Sequence, residues 1–209
     1  MVEDLLVSAV AELNEDIVIK LVKKELRNKK DPKDVLARIR LGMEIVGERY
    51  KEGKYFISDL IMSGLIFTEV LNYIDFPNES TSQFSNIVML FATVEQDIHD
   101  VGKNITISFY KSRGIKVIDL GVNVPPEKIV EEIIHNNANV LSLSGLITES
   151  YDSMKKTIEL LEEKKLRDKV KVIIGGNVNE EVRKYVAADF WTPDFTNGLE
   201  ICQKIAAEL

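Results

Sequence analysis

Near Asn86 the chain changes its hydrophobic period, and this change constrains the fold more than any other feature. Beyond it, short β-rich apolar runs alternate with amphipathic helical stretches. The runs are 87–94, 116–121, 140–146, 170–174 and a weaker 188–191. Helices are predicted to start near Asp100, Pro126, Ser150 and Glu180, with a last one over 196–209. Strict alternation implies a five-stranded parallel sheet covered on both faces, a doubly wound α/β domain of the Rossmann or flavodoxin-like kind. Ligands of such sheets bind at the C-terminal ends of the strands, where the strand order reverses.

Residues 1–84 carry a different signal, helical throughout. Leu5, Leu6, Ala9 and Leu13 fall at helical spacing, as do Val18, Leu21, Val22 and Leu26. Asp31-Pro32 reads as an N-cap with proline at the first helical position. It opens a third helix with Val35, Ile39, Gly42, Met43 and Val46 on one face. A fourth, 55–74, is apolar on nearly every side, so it is expected to be buried between neighbours or to face a partner or ligand. Four helices with short connections predict a four-helix bundle. The polar, helix-breaking segment 76–82 sets the boundary between a helical domain, 1–84, and the α/β domain, 85–209.

Composition narrows the partners. The 209 residues carry a net charge of −7, which argues against nucleic acid or an anionic membrane as the main partner. No stretch has the length and apolarity of a transmembrane helix, and the acidic start lacks the basic region of a signal peptide, so a cytoplasmic location is expected. The single cysteine, Cys202, rules out an intrachain disulfide framework and falls on the apolar phase of the last helix.

The chemistry gathers at predicted strand ends. His99 lies in the loop after the first strand, with Asp97 two residues before it and Gly102 three after. A carboxylate that accepts a proton from one ring nitrogen fixes the tautomer and leaves the other nitrogen free for a metal. Alone, Asp-x-His is a weak signal, and a loop histidine bonded to backbone is the plain alternative. The other histidine, His135, reads as a solvated surface residue. Gly102 would let backbone approach a bulky ligand. The third strand ends in Ser144-Gly145-Leu146-Ile147-Thr148-Glu149-Ser150, whose hydroxyls could line a slot or cap a helix. The fourth ends in Gly175-Gly176.

The joint spacing raises the specificity. Forty-one residues separate Gly102 from Ser144, and twenty-eight separate Leu146 from Gly175. The set resembles the cobalamin-binding domain of methionine synthase, coenzyme-B12 mutases and corrinoid methyltransferase proteins. The stretches 97–104, 117–125 and 55–61 look like corrinoid methyl-carrier proteins in particular, and the resemblance covers almost the whole chain. It implies cobalamin as cofactor, with His99 replacing the cofactor's own base as lower axial ligand of cobalt. Asp97 would hold His99, and Ser150 would complete the relay. Ser144 and Thr148 would contact the displaced nucleotide tail beside Leu146, with Gly145, Gly175 and Gly176 leaving it room. Gly102 would let the loop run beneath the corrin, and the N-terminal helices would cap the methyl face.

The resemblance further implies a methyl shuttle through Co(I) and methyl-Co(III), not catalytic alone. Its partners would be a donor:corrinoid methyltransferase, a corrinoid:acceptor methyltransferase serving tetrahydrofolate or a thiol, and a reductive activase. An O-demethylase system is the favoured setting, and a homodimer through the fourth helix is envisaged. The sequence departs from relatives at Glu95-Gln96, at Ala187-Ala188-Asp189 and in the individual segment 190–195. A mutase B12 subunit is the alternative, but such subunits usually lack the helical module. A B12-sensing regulator would need a DNA-binding or signalling element, and no basic recognition helix is present. A receiver domain would want a lysine where Thr192-Pro193 stands.

Overall fold

The computed structural model describes residues 4–74 and 82–208. The chain divides into two compact units, Met1–Phe76 and Pro77–Leu209. The predicted boundary segment lies, as far as residue 81, outside the described residues.

Among the described residues the first unit holds four helices, α1 (Leu5–Ala11), α2 (Glu15–Arg27), α3 (Pro32–Lys51) and α4 (Ile57–Leu71). Asp4, Asn14 and Asp31 cap the first three, their side chains accepting backbone N–H groups that the helix start leaves unpaired. Arg38 on α3 ties the bundle together, donating to Asp4 and to Glu25 on α2. At the α1–α3 crossing, a Cβ on Gly42 would stand 2.5 Å from Val10 Cβ and 2.9 Å from the Val7 carbonyl oxygen. Only glycine permits that approach.

The fourth helix departs from expectation. It begins at Ile57 because the Phe56 N–H is taken by the Asp59 carboxylate, 2.7 Å away. One face, Ser63, Ile66, Phe67 and Val70, is buried. Ile57, Ile61 and Leu65, at four-residue spacing, form an exposed apolar stripe, each more than half accessible. Burial on every side therefore fails for this unit, and the alternative in which the helix faces a partner or ligand stands.

The second unit is a sheet of five parallel strands in the order β2-β1-β3-β4-β5. Its strands are β1 (Val88–Thr93), β2 (Lys116–Asp119), β3 (Val140–Gly145), β4 (Lys171–Gly176) and β5 (Phe190–Thr192). The helices are α5 (Val101–Ser112), α6 (Pro126–Asn136), α7 (Ser150–Glu163), α8 (Glu180–Val186) and α9 (Phe195–Glu208). Alternate residues of the central strands, Leu90 and Ala92, Leu141 and Leu143, Val172 and Ile174, join one core cluster with Ile129, Ile133, Met154 and Ile158. The intervening Met89, Phe91, Val140 and Ile173 are also buried, which explains apolar runs without polar alternation. Cys202 is fully buried in α9, and burial pushes its thiol up to about 12. Because β1 is followed by β2 on one side and β3 on the other, the order reverses between β1 and β3. Among the described residues no helix is long and apolar enough to cross a membrane.

Gly42→Ala is predicted to lower the stability of the helical unit. Overpacking of about 1–3 kcal/mol outweighs the roughly 1 kcal/mol gained in helix propensity. Thermal unfolding followed by circular dichroism checks this, and an unchanged or raised midpoint would contradict the close packing.

Candidate functional site

The loop that follows β1 at the reversal carries Asp97 and His99. Asp97 is 1% exposed, and its two oxygens accept four hydrogen bonds. Oδ1 takes the His99 backbone N–H at 2.9 Å and lies 2.6 Å from the ring Nδ1. Oδ2 takes the Leu146 N–H at 2.6 Å and the Ser150 hydroxyl at 3.0 Å. Burial would raise the carboxyl pKa, but the bonds from His99, Leu146 and Ser150 outweigh it and bring it down to about 2. An ionised carboxylate only accepts, so Nδ1 carries the shared proton and donates to it. In the neutral ring Nε2 is then the lone-pair nitrogen, on a side chain 52% exposed.

Other bonds fix the loop. The Thr93 hydroxyl donates to the His99 carbonyl at 3.1 Å. From the turn after β2, the Asn123 N–H donates to the Asp97 carbonyl at 2.9 Å, and the Asn123 side-chain oxygen accepts the Gln96 N–H at 2.8 Å. Gln96 and Asn123 both have positive φ, 70° and 52°. Thr93 and Asn123 escape a reading based on strand-end motifs, because they act through backbone groups. Asn at a tight turn was the available signal for Asn123. Three exposed apolar residues are sequence neighbours of the site residues: Ile98 between Asp97 and His99, Leu146 whose N–H meets Asp97, and Val122 before Asn123.

The remaining predicted residues separate into groups. Strand register places Thr93, Ser144, Gly175 and Thr192 in one row along the sheet edge, all small or hydroxylated. A Cβ on Gly175 would make only ordinary contact, 3.6 Å from Thr192 Cγ2, and one on Gly102 would meet nothing within 4 Å. Space beside the backbone exists at those two positions. At Gly145 the space is filled by protein, since a Cβ there would stand 2.6 Å from Ser150 Cβ. Gly176 has φ +103°, and a Cβ would collide with the Gly145 carbonyl oxygen. These two glycines let Ser150 and the neighbouring strand end close in. Thr148 is exposed and its hydroxyl bonds to Glu149, so it is not brought to the Asp97 cluster. Ser150 is the first residue of α7, with Glu149 in the cap position, and its hydroxyl serves Asp97. His135 is exposed on α6.

Among the described residues no three His, Cys, Asp or Glu side chains converge as metal ligands. His99 offers a single nitrogen, which suits a metal that brings its own ring of ligands. Models of B12 binding domains match residues 87–194 and, separately, residues 2–75. The chain is 36% identical over 210 aligned residues to a corrinoid protein of Desulfitobacterium hafniense, covering 97% of this chain and 96% of that one. The structure of the monomethylamine corrinoid protein of Methanosarcina barkeri is similar with a TM-score of 0.85 at 26% identity, covering 97% of each chain. A chain of the methanol:cobalamin methyltransferase complex of the same organism matches with a TM-score of 0.55 at 26% identity. That match covers 98% of this chain and 79% of the other.

The depressed Asp97 carboxyl has a consequence for stability. Its folded value lies below the ordinary 3.8, so it stabilises the fold above about pH 4 and loses that contribution as pH falls through about 2. Urea unfolding should show Asp97→Asn less stable than the parent by about 2 kcal/mol or more near pH 7. The gap should narrow towards about pH 3, and a pH-independent gap would contradict the assignment.

Proposed function

The chain belongs to the family of B12-binding corrinoid proteins, and from that membership we propose that it carries methyl groups between methyltransferases, with His99 as the protein ligand to cobalt. Cobalamin is the cofactor of this family, and the site fits it. The exposed imidazole offers Nε2 outward, the neighbouring residues Ile98, Val122 and Leu146 are exposed and apolar, which suits a macrocycle face, and backbone at Gly102 stands clear. The bound corrinoid supplies a metal centre able to accept and release a methyl group.

The protein residues orient and tune. Asp97 holds the Nδ1 proton of His99 at Oδ1 and so keeps Nε2 basic and aimed. The same anion would stabilise positive charge on the ring were Nε2 to hold a proton in place of a metal. Ser150 and the Leu146 N–H keep Asp97 ionised in both conditions. The single observation that carries the reading is the 2.6 Å contact between Asp97 Oδ1 and His99 Nδ1. Ser144 and Gly175 are the residues proposed to line the slot for the displaced nucleotide tail, with Thr148 at its outer end. Gly145 and Gly176 act indirectly, by letting the strand ends close.

Its partners are proposed to be a donor methyltransferase, an acceptor methyltransferase and a reductive activase. The match to a chain of a methanol:cobalamin methyltransferase complex supports partners of this class. An aryl methyl ether is the proposed donor and tetrahydrofolate the proposed acceptor. The similarity to a monomethylamine corrinoid protein favours a second reading, in which an N-methyl compound is the donor. The exposed stripe Ile57, Ile61 and Leu65 supports α4 as a surface that meets a ligand, a partner or a second copy.

Protein loaded with hydroxocobalamin and reduced should be methylated by an aryl-methyl-ether methyltransferase, followed by absorbance. It should not be methylated by methanol- or monomethylamine-specific enzymes. His99→Ala should weaken cofactor retention by about 10–100-fold. Methylation by the monomethylamine enzyme alone would establish the second reading, and methylation by none would contradict the carrier role.

A further inference from the structure

Lys103 stands out because its surroundings are wrong for a lysine unless it does something. It lies on the first turn of α5, four residues after His99, on the stripe that continues with the buried Ile107 and Tyr110. It is 3% exposed. A cation in the first turn also opposes the helix dipole. The ammonium group is nevertheless fully satisfied: Asp119 Oδ1 and Oδ2 lie 2.7 and 2.8 Å from Nζ, and Asn104 Oδ1 lies 2.9 Å away. Those acceptors match its three N–H donors. The cap residue Asp100 makes no capping bond to a backbone N–H, although its Oδ2 accepts the Asn104 side-chain N–H at 3.1 Å, so the clamp is what ties the start of α5 to the end of β2.

Asp119 links the clamp to the imidazole. It ends β2, and its Oδ1 also accepts the Gly121 N–H at 2.9 Å. The Gly121 carbonyl accepts the Thr93 N–H at 3.0 Å, and the Thr93 hydroxyl donates to the His99 carbonyl. Asn123, two residues past Gly121, holds the Asp97 carbonyl. The turn after β2 is thus the frame on which the histidine loop hangs. Asn123 grips the loop where it begins, Thr93 grips its middle, and Lys103 grips the helix into which it runs.

We propose that Lys103, through its ion pair with Asp119, is a positioning residue for His99, setting the height and angle of the imidazole. This rests on the reading of His99 as the cobalt ligand, but half of its test does not. Its three donors are committed to Asp119 and Asn104, so it acts on His99 only through them. Lys103 is buried while the Asp119 side chain is 36% exposed, so one end of the pair has left water, and what the pair adds is a fixed geometry between α5 and the end of β2.

The test uses Lys103→Met, which keeps the apolar stem, and Asp119→Asn, which keeps an oxygen for Gly121. In the cofactor-free protein, the His99 amide should exchange with solvent about tenfold faster in either variant, while amides of β4 and α7 keep their rates. In the Co(II) form reconstituted with hydroxocobalamin, the ratio of histidine-ligated to unligated metal, read by electron paramagnetic resonance, should fall about tenfold. His99→Ala supplies the unligated reference. If the parent spectrum already equals that reference, the ligand reading fails and the exchange arm alone decides the role of Lys103. Parent-like exchange at His99, or acceleration spread evenly over the whole unit, overturns the proposal. Should Lys103→Met not fold, Asp119→Asn decides it by the same criteria.

Discussion

A buried carboxylate must be satisfied on both oxygens or it will not stay charged, and the site is organised around meeting that demand at Asp97. Its partners come from the loop after β1, the end of β3 and the first turn of α7. A group hydrogen-bonded from these places fixes them relative to one another. The low pKa is the electrostatic sign of that arrangement. It also determines the chemistry available to His99, because an anion locked against Nδ1 leaves the ring one basic nitrogen to offer outward. Close approach at Gly145 and Gly176 is part of the same requirement, since bulkier residues there would push Ser150 and the β4 end away.

The fold brings these pieces together through its strand order. With β1 flanked by β2 and β3, the strand order reverses between β1 and β3, and the loops leaving those two strands are joined there through Asp97. The buried, apolar strands make the sheet a rigid base, and the loops at its C-terminal edge are held by bonds to backbone. Asn123 and Asp119 make the end of β2 and the turn after it the reference against which the histidine loop is held.

Much of this was legible in the residue pattern, for physical reasons. Five apolar runs bounded by turns read as five strands because a sheet covered on both faces needs them apolar. Asp97-x-His99 read as an oriented imidazole because the spacing allows a local contact. Ser150 was legible only through resemblance, since nothing in a single sequence brings a serine to an aspartate 53 positions earlier. Lys103 and Asp119 lie within the stretches 97–104 and 117–125 that carry the resemblance, but their pairing was hidden because one residue sits on α5 and the other ends β2. For the fourth helix the sequence left two alternatives open, burial or a face turned to a partner or ligand, because composition reports how apolar a helix is, not whether its unit supplies enough neighbours to cover it. Gly145 and Gly176 looked like room for a ligand, whereas the neighbouring protein backbone and side chain occupy that space.

The most direct measurement is the nitrogen hyperfine splitting of the Co(II) holo-protein grown with 15N-histidine and reconstituted with unlabelled hydroxocobalamin. If His99 is the axial ligand, the triplet given by 14N becomes a doublet on labelling, and the change disappears in His99→Ala. A triplet unaffected by the label would mean that the cofactor keeps its own base, and the role assigned to Asp97 and His99 would be wrong.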